Sequence, residues 1–223
     1  MNKMSNSEDK IWSPRSSQSK YLKTGNEPFR VRDKTVGFTI SDYWRWAHSD
    51  LLDNAARGVL AEFLVVRALD YTLALDYTYE PRHEWDAIDI RTESGLKVEV
   101  KSAAYAQSWP QCKPSTISFD IASRSREWNA KTDEYETCKP PKRVADVYVF
   151  CLLGRLNDPE PDPMDVDQWE FYVLATKTLN QEYPCQKTIG LNSLKSLVQG
   201  TTRGGTTPYC ELAQDIETEG KHT

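Results

Sequence analysis

Apolar residues recur along this 223-residue chain at two different periods, and the change from one to the other divides it. Residues 1 to about 35 show neither period. They are polar, carry a net positive charge and contain Ser-Pro and Glu-Pro breaks, which predicts a mobile arm outside the core. From Ser41, Tyr43, Trp44, Ala47 and Leu51 follow at three- and four-residue steps, the signature of a short amphipathic helix capped near Ser41-Asp42. A second helix is expected over 55–69 (AARGVLAEFLVVRAL), which has helix formers throughout and no proline. Beyond it the short apolar runs 85–90, 96–104, 116–122, 143–153 and 169–176 are mostly rich in β-branched and aromatic residues and predict the strands of a mixed sheet.

Between these runs, 123–142 reads as a polar insertion and 154–168 as an acidic, proline-containing connection. A last amphipathic helix is expected at LNSLKSLV, and 211–223 reads as a disordered acidic tail. The organisation expected is an arm over 1–35, a single α/β domain over 36–210, and the tail.

Composition narrows the classes. With 39% hydrophobic residues, 7 Trp, 11 Tyr and 6 Phe, the chain can build a sizeable core, so global disorder is excluded. No run approaches the roughly 20 apolar residues of a membrane span, and the N-terminus lacks an apolar signal core, so a cytoplasmic protein with no membrane partner is expected. The 5 cysteines are scattered without a Cys-x-x-Cys pair, which argues against a disulfide framework or structural zinc. The net charge of −5 is concentrated in 158–170 and 211–223, leaving +4 on the rest, so nucleic acid stays open as a partner. Phosphate-cradling glycine loops are missing from the sequence, and its 3 histidines are dispersed.

Candidate chemistry lies in Trp85-Asp86-Ala87-Ile88-Asp89-Ile90, a turn, and Val98-Glu99-Val100-Lys101. On a strand, Glu99 and Lys101 share one face while Val98 and Val100 share the other. If the turn has an even number of residues, opposed positions sum to an odd number; Asp86 then joins the face of Glu99 and Lys101, and Asp89 falls on the other unless a bulge or odd loop shifts the register. Facing carboxylates need a compensating charge, and Mg²⁺ suits their hard oxygens. A lysine on the same face can orient water and stabilise charge on a phosphate.

Asp86, the 13-residue interval and Glu99-Val100-Lys101 resemble the PD-(D/E)xK nuclease superfamily, with Trp85 where a proline is usual. The stretches 41–66 and 164–174 are similar to bacterial proteins that share this core. The resemblance implies a restriction-endonuclease-like three-layer α/β fold with a mixed central sheet flanked by helices. It also implies a Mg²⁺-dependent DNA endonuclease, Mn²⁺ substituting, in restriction, phage defence or mobile-element biology. Asp86, Glu99 and the Val100 carbonyl would hold the ion and Lys101 would assist the attacking water. Glu62 resembles the helix glutamate of many members, with a second-metal or water-mediated role. Independently, positions three, four and seven away from it are Ala55, Gly58, Val59, Val65, Val66 and Leu69, so it interrupts an apolar stripe.

Further along, Gln107 either approaches a nucleotide or belongs to a polar loop. Arg124, Arg126, Lys142 and Arg143 either contact phosphates or line a solvated insertion. The competing functions are a catalytically inactive nucleic-acid- or protein-binding module on the same fold, and a nuclease acting on RNA. Cutting both strands calls for two active sites, which favours a homodimer or a larger nuclease assembly.

Overall fold

The computed structural model describes residues 22–73, 88–92, 94–129 and 134–222. They fall into two compact units, one up to Tyr43 and one from Trp44 onward. In the first, β1 (Pro28–Val31) and β2 (Lys34–Thr39) pair antiparallel around Arg32-Asp33, whose φ angles of 48° and 65° are both left-handed. Such a turn matches the twist of the strands it joins. Phe29 and Phe38 meet with ring centroids 5.1 Å apart. The expected arm is therefore corrected over 28–35: a tight turn and an aromatic pair order a stretch whose polarity suggested no structure. Helix α1 (Ile40–His48) follows, and Asp42 accepts from the Thr39 N–H at 2.8 Å, the reciprocal bond of a helix start.

The second unit begins its core with α2 (Asn54–Leu73). Asp53 Oδ1 accepts from the N–H groups of Ala55 and Ala56 at 2.9 and 3.2 Å, satisfying donors that the first turn leaves open. Ala61, Leu64, Val65, Ala68 and Leu69 form its buried stripe. The chain continues through β3 (Ile90–Arg91), β4 (Lys97–Ala104), β5 (Ser118–Asp120), β6 (Arg124–Asn129), β7 (Glu134–Lys142), β8 (Val147–Leu153), β9 (Trp169–Ala175), α3 (Thr176–Glu182), β10 (Thr188–Gly190), α4 (Leu191–Val198) and α5 (Leu212–Gly220).

The central sheet has the order β3-β4-β8-β9 and is mixed: β4 and β8 run parallel, and the outer pairs are antiparallel. All seven residues of β8 are buried because both of its faces are covered. Val147, Val149, Cys151 and Leu153 point to the α2 and α5 side, whereas Tyr148, Phe150 and Leu152 pack with Phe119 of β5, Leu179 of α3, Ile189 of β10 and Leu194 of α4. The result is the expected α/β fold, a mixed sheet between two layers. Among the described residues no helix is long and apolar enough to cross a membrane.

The polar insertion read over 123–142 carries two strands, since β6 and β7 pair as an antiparallel ribbon. It lies outside the central sheet, so its side chains need no apolar alternation. One expectation fails here: the acidic tail is not disordered. Leu212, Ala213 and Ile216 bury one side of α5 and Glu219 is buried with them, while Arg203 bonds to Asp215 and to Glu211 just before the helix, and Ser94 Oγ donates to Glu217 at 2.9 Å. Three apolar positions on one helix face outweigh an acidic composition.

Candidate active site

Strand β4 separates core from chemistry. Val98, Val100 and Ala104 join the α2 and α5 side, so Glu99 and Lys101 alternate to the other. Glu99 is only 3% exposed, and its Oε1 accepts from Lys101 Nζ at 2.6 Å and from Arg124 Nη2 at 2.7 Å. The two cations are more open, with 20% and 43% of their side chains exposed. The carboxylate thus lies beneath two positive charges that reach solvent.

Register bears on the face that Asp89 takes. Strand β3 pairs with β4 through Ile90↔Val98 and Arg91↔Lys97, so opposed numbers sum to an even value across a five-residue loop. The expected even-length turn, which put Asp89 on the far face and favoured Asp86, is corrected. Continued one step past Ile90↔Val98, the same register would set Asp89 opposite Glu99. Asp86 itself lies outside the described residues.

The ladder ends at Ile90, and the chain bends at Ile88 and Asp89. Asp89 Oδ2 accepts from the Val100 N–H at 2.7 Å, supplying the acceptor that a strand edge lacks once its neighbour has turned away. A strand residue projects its N–H and C=O to the same side, so the Val100 carbonyl shares this edge with Asp89.

Electrostatics mark the pair. Burial pushes the Asp89 carboxyl above the usual carboxylate range; the Val100 N–H opposes that, and the charge of Glu62 adds to it. Burial likewise pushes Glu99 up, Lys101 pulls it back, and Asp89 raises it further. Tyr148, beside Glu99 in the parallel register, is driven well up by burial first and by Glu99 second. Glu62 is half-buried on α2, at the margin of the buried stripe rather than within it; Val59, nearly one turn earlier, is 44% exposed. The apolar stripe read around Glu62 is corrected in that respect.

The other candidates divide. Arg126 and Lys142 are exposed on the ribbon. Arg143 is 6% exposed and donates to the carbonyls of Ile121, Leu179, Tyr183 and Gln186 and to Asn180 Oδ1, so its assignment as a phosphate contact is corrected. All of its donating nitrogens are spent on the fold. Gln107 donates to Ala104 O at 2.9 Å and to Ser115 Oγ at 3.2 Å, and accepts from Arg57 at 3.3 Å. It holds a loop against α2. Arg57, 4% exposed and also bonded to Leu52 O and Asn54, was not singled out from sequence, where a single arginine near a helix start carries no sign of burial.

The donors suit a hard cation. Among the described residues no group of three or more His, Cys, Asp or Glu gathers as a ligand cage. Two carboxylates and one backbone carbonyl are oxygen donors of the kind that a hard cation accepts when water completes its shell.

The sequence model of bacteriophage T4 endonuclease IV matches residues 3–193. The chain belongs to that family. No curated protein and no solved structure matches it. Membership in the endonuclease IV family implies a phosphodiester hydrolase with DNA as its substrate. The matched region contains Glu62, Asp89, Glu99, Lys101 and Arg124, while α5 and Arg203 lie beyond it.

Proposed function

We propose that this member of the endonuclease IV family is a divalent-cation-dependent DNA endonuclease of the PD-(D/E)xK kind, with Asp89, Glu99 and Lys101 as its working set and Glu62 in support. The observation that carries the reading is the placing of two carboxyls at the β3-β4 edge, Glu99 buried and Asp89 half-buried on the Val100 N–H, beside a lysine 2.6 Å from Glu99. Two carboxylates placed together repel one another, and a bound cation relieves that repulsion.

Asp89, Glu99 and the Val100 carbonyl would hold Mg²⁺ or Mn²⁺. Bound there, the ion supplies polarisation of the phosphate and a more acidic water. Lys101 keeps a cation on the solvent side of Glu99, placed to donate to the attacking water or to a phosphoryl oxygen. Glu62, whose charge reaches Asp89, adds an anionic acceptor on the helix side.

The test compares wild type, Asp89→Asn, Asp86→Asn and Lys101→Ala on plasmid DNA and on RNA, with Mg²⁺ and with EDTA. Asp89→Asn and Lys101→Ala should each slow DNA cleavage on the order of 10²–10³-fold, and Asp86→Asn should stay near wild type. The reverse ranking of the two aspartates would return the role to Asp86. Cleavage in EDTA excludes the mechanism, and faster cutting of RNA changes the substrate.

A further inference from the structure

Arg124 opens β6, at the root of the exposed ribbon, where the ladder with β7 is irregular between Arg124 and Arg126. Its guanidinium occupies the same Glu99 oxygen as Lys101. A carboxylate has two oxygens and room for several donors, yet both cations crowd one of them. Arg124 is also the more exposed of the two, at 43% against 20%, so moving it costs less in packing.

Charge sharpens the point. Asp89 and Glu99 with Lys101 and Arg124 are formally neutral. A divalent cation alone would turn that to +2 while facing two cations, and one phosphodiester would lower it to +1. Cation and phosphate therefore favour each other's binding, and the group able to change partners between them is a guanidinium, whose fork matches carboxylate and phosphate alike.

We propose that Arg124 couples divalent-cation binding to DNA binding: it rests on Glu99 in the free protein and transfers to a phosphate of the bound strand when the cation takes the carboxylate. The inference rests on Asp89 and Glu99 being cation ligands. Arg126 and Lys142, exposed on the ribbon beside it, extend a basic edge along which the backbone can run; Lys142 is the register partner of Arg124. By linkage, any tightening of cation binding by DNA equals the tightening of DNA binding by the cation.

The experiment measures Mg²⁺ binding without DNA by calorimetry, and binding of a labelled DNA oligonucleotide by anisotropy in Ca²⁺ and in EDTA, at constant ionic strength. The proteins are wild type, Arg124→Ala, Arg124→Lys, Arg126→Ala and Glu99→Gln. Arg124→Ala should bind Mg²⁺ several-fold more tightly, because a competing cation is gone, and should lose most of the Ca²⁺-dependent gain in DNA affinity. Arg124→Lys should retain part of that gain. Arg126→Ala should weaken DNA binding in both media and leave Mg²⁺ affinity unchanged. Unchanged or weaker Mg²⁺ binding in Arg124→Ala overturns the proposal. Equal tightening in Arg126→Ala also overturns it, since general electrostatics would then account for the effect. If folded wild type binds neither ion, or Glu99→Gln binds them as well as wild type does, the assignment of the cation ligands fails first and the coupling falls with it.

Discussion

Two clusters in this protein are built from the same groups, an arginine among carboxylates, and they differ in what they leave unfinished. At the C-terminal helix, Arg203 bonds to Asp215 and Glu211, and Thr207 Oγ1 donates to Asp215 at 2.7 Å. Those bonds, with Asp215 first, hold the guanidinium above its usual range, and the Glu211 side chain is half exposed. At the sheet edge, Glu99 also takes two cations, but it is buried and its carboxyl is still pushed up rather than down, with Asp89 beside it. The clamp has met its electrostatic needs from within the chain. The edge pair has not, so an added positive charge would stabilise it, as the proposed cation site requires.

Arg143 tests the comparison most severely, because it is a buried arginine satisfied mainly by neutral acceptors. Arg143→Ala would leave four carbonyls and Asn180 without its donors in a buried place. It should destabilise the protein by at least about 3 kcal/mol in urea denaturation, with DNA cleavage by whatever fraction stays folded unchanged. A loss under about 1 kcal/mol would mean that these bonds are replaced by water, and Arg143 would return as a candidate phosphate contact.

That residue also shows what could be read in advance. The strands β4, β8 and β9 and helices α2 and α4 were legible because their apolar residues repeat at the period of the element they form. So was the alternation that separates Glu99 and Lys101 from Val98 and Val100. The partner of Arg143 was not, since its acceptors come from residues 121, 179, 180, 183 and 186, brought together only by the fold. The face of Asp89 is hard to read for a narrower reason: β3 is two residues long, and whether the loop after it is odd or even in length sets the face that Asp89 takes. Arg124 was noticed as a cation, but its place on Glu99 depends on a ribbon whose polar sequence carried no strand period.

A medium effect should appear with pH. Asp89 and Glu99 titrate higher in the folded protein than in the unfolded chain, so between the usual carboxylate range, near pH 4, and their raised values the native state holds more protons. Their favourable contribution is complete below that window and is lost as pH rises through it. In EDTA, stability should therefore fall with rising pH across the window, with a slope of at most about 1.4 kcal/mol per pH unit for each group. Glu99→Gln should flatten the slope, and so should Mg²⁺ in wild type, by balancing the ionised pair. A wild-type curve in EDTA that rises through the same range would show that Lys101 and Arg124 already satisfy Glu99, and the contrast with the Arg203 clamp would disappear.

The smallest effect belongs to the clamp itself. Arg203 lies partly open, with 27% of its side chain exposed, and Glu211 more so, so solvent screens the attraction and rehydrates the carboxylates once the arginine is gone. Arg203→Ala should cost roughly 0.5–1 kcal/mol, because Leu212, Ala213 and Ile216 still bury α5 and the Tyr209 hydroxyl still donates to the Leu64 carbonyl at 2.9 Å. The loss should shrink as salt is raised, and cleavage should not change, since the clamp touches no residue of the sheet-edge cluster. If Arg203→Ala instead destabilises the protein by several kcal/mol at high salt, the Asp215 carboxylate is the part left stranded. The C-terminal cluster would then resemble the Glu99 site in carrying a buried charge that needs a partner, and burial alone would no longer distinguish the two.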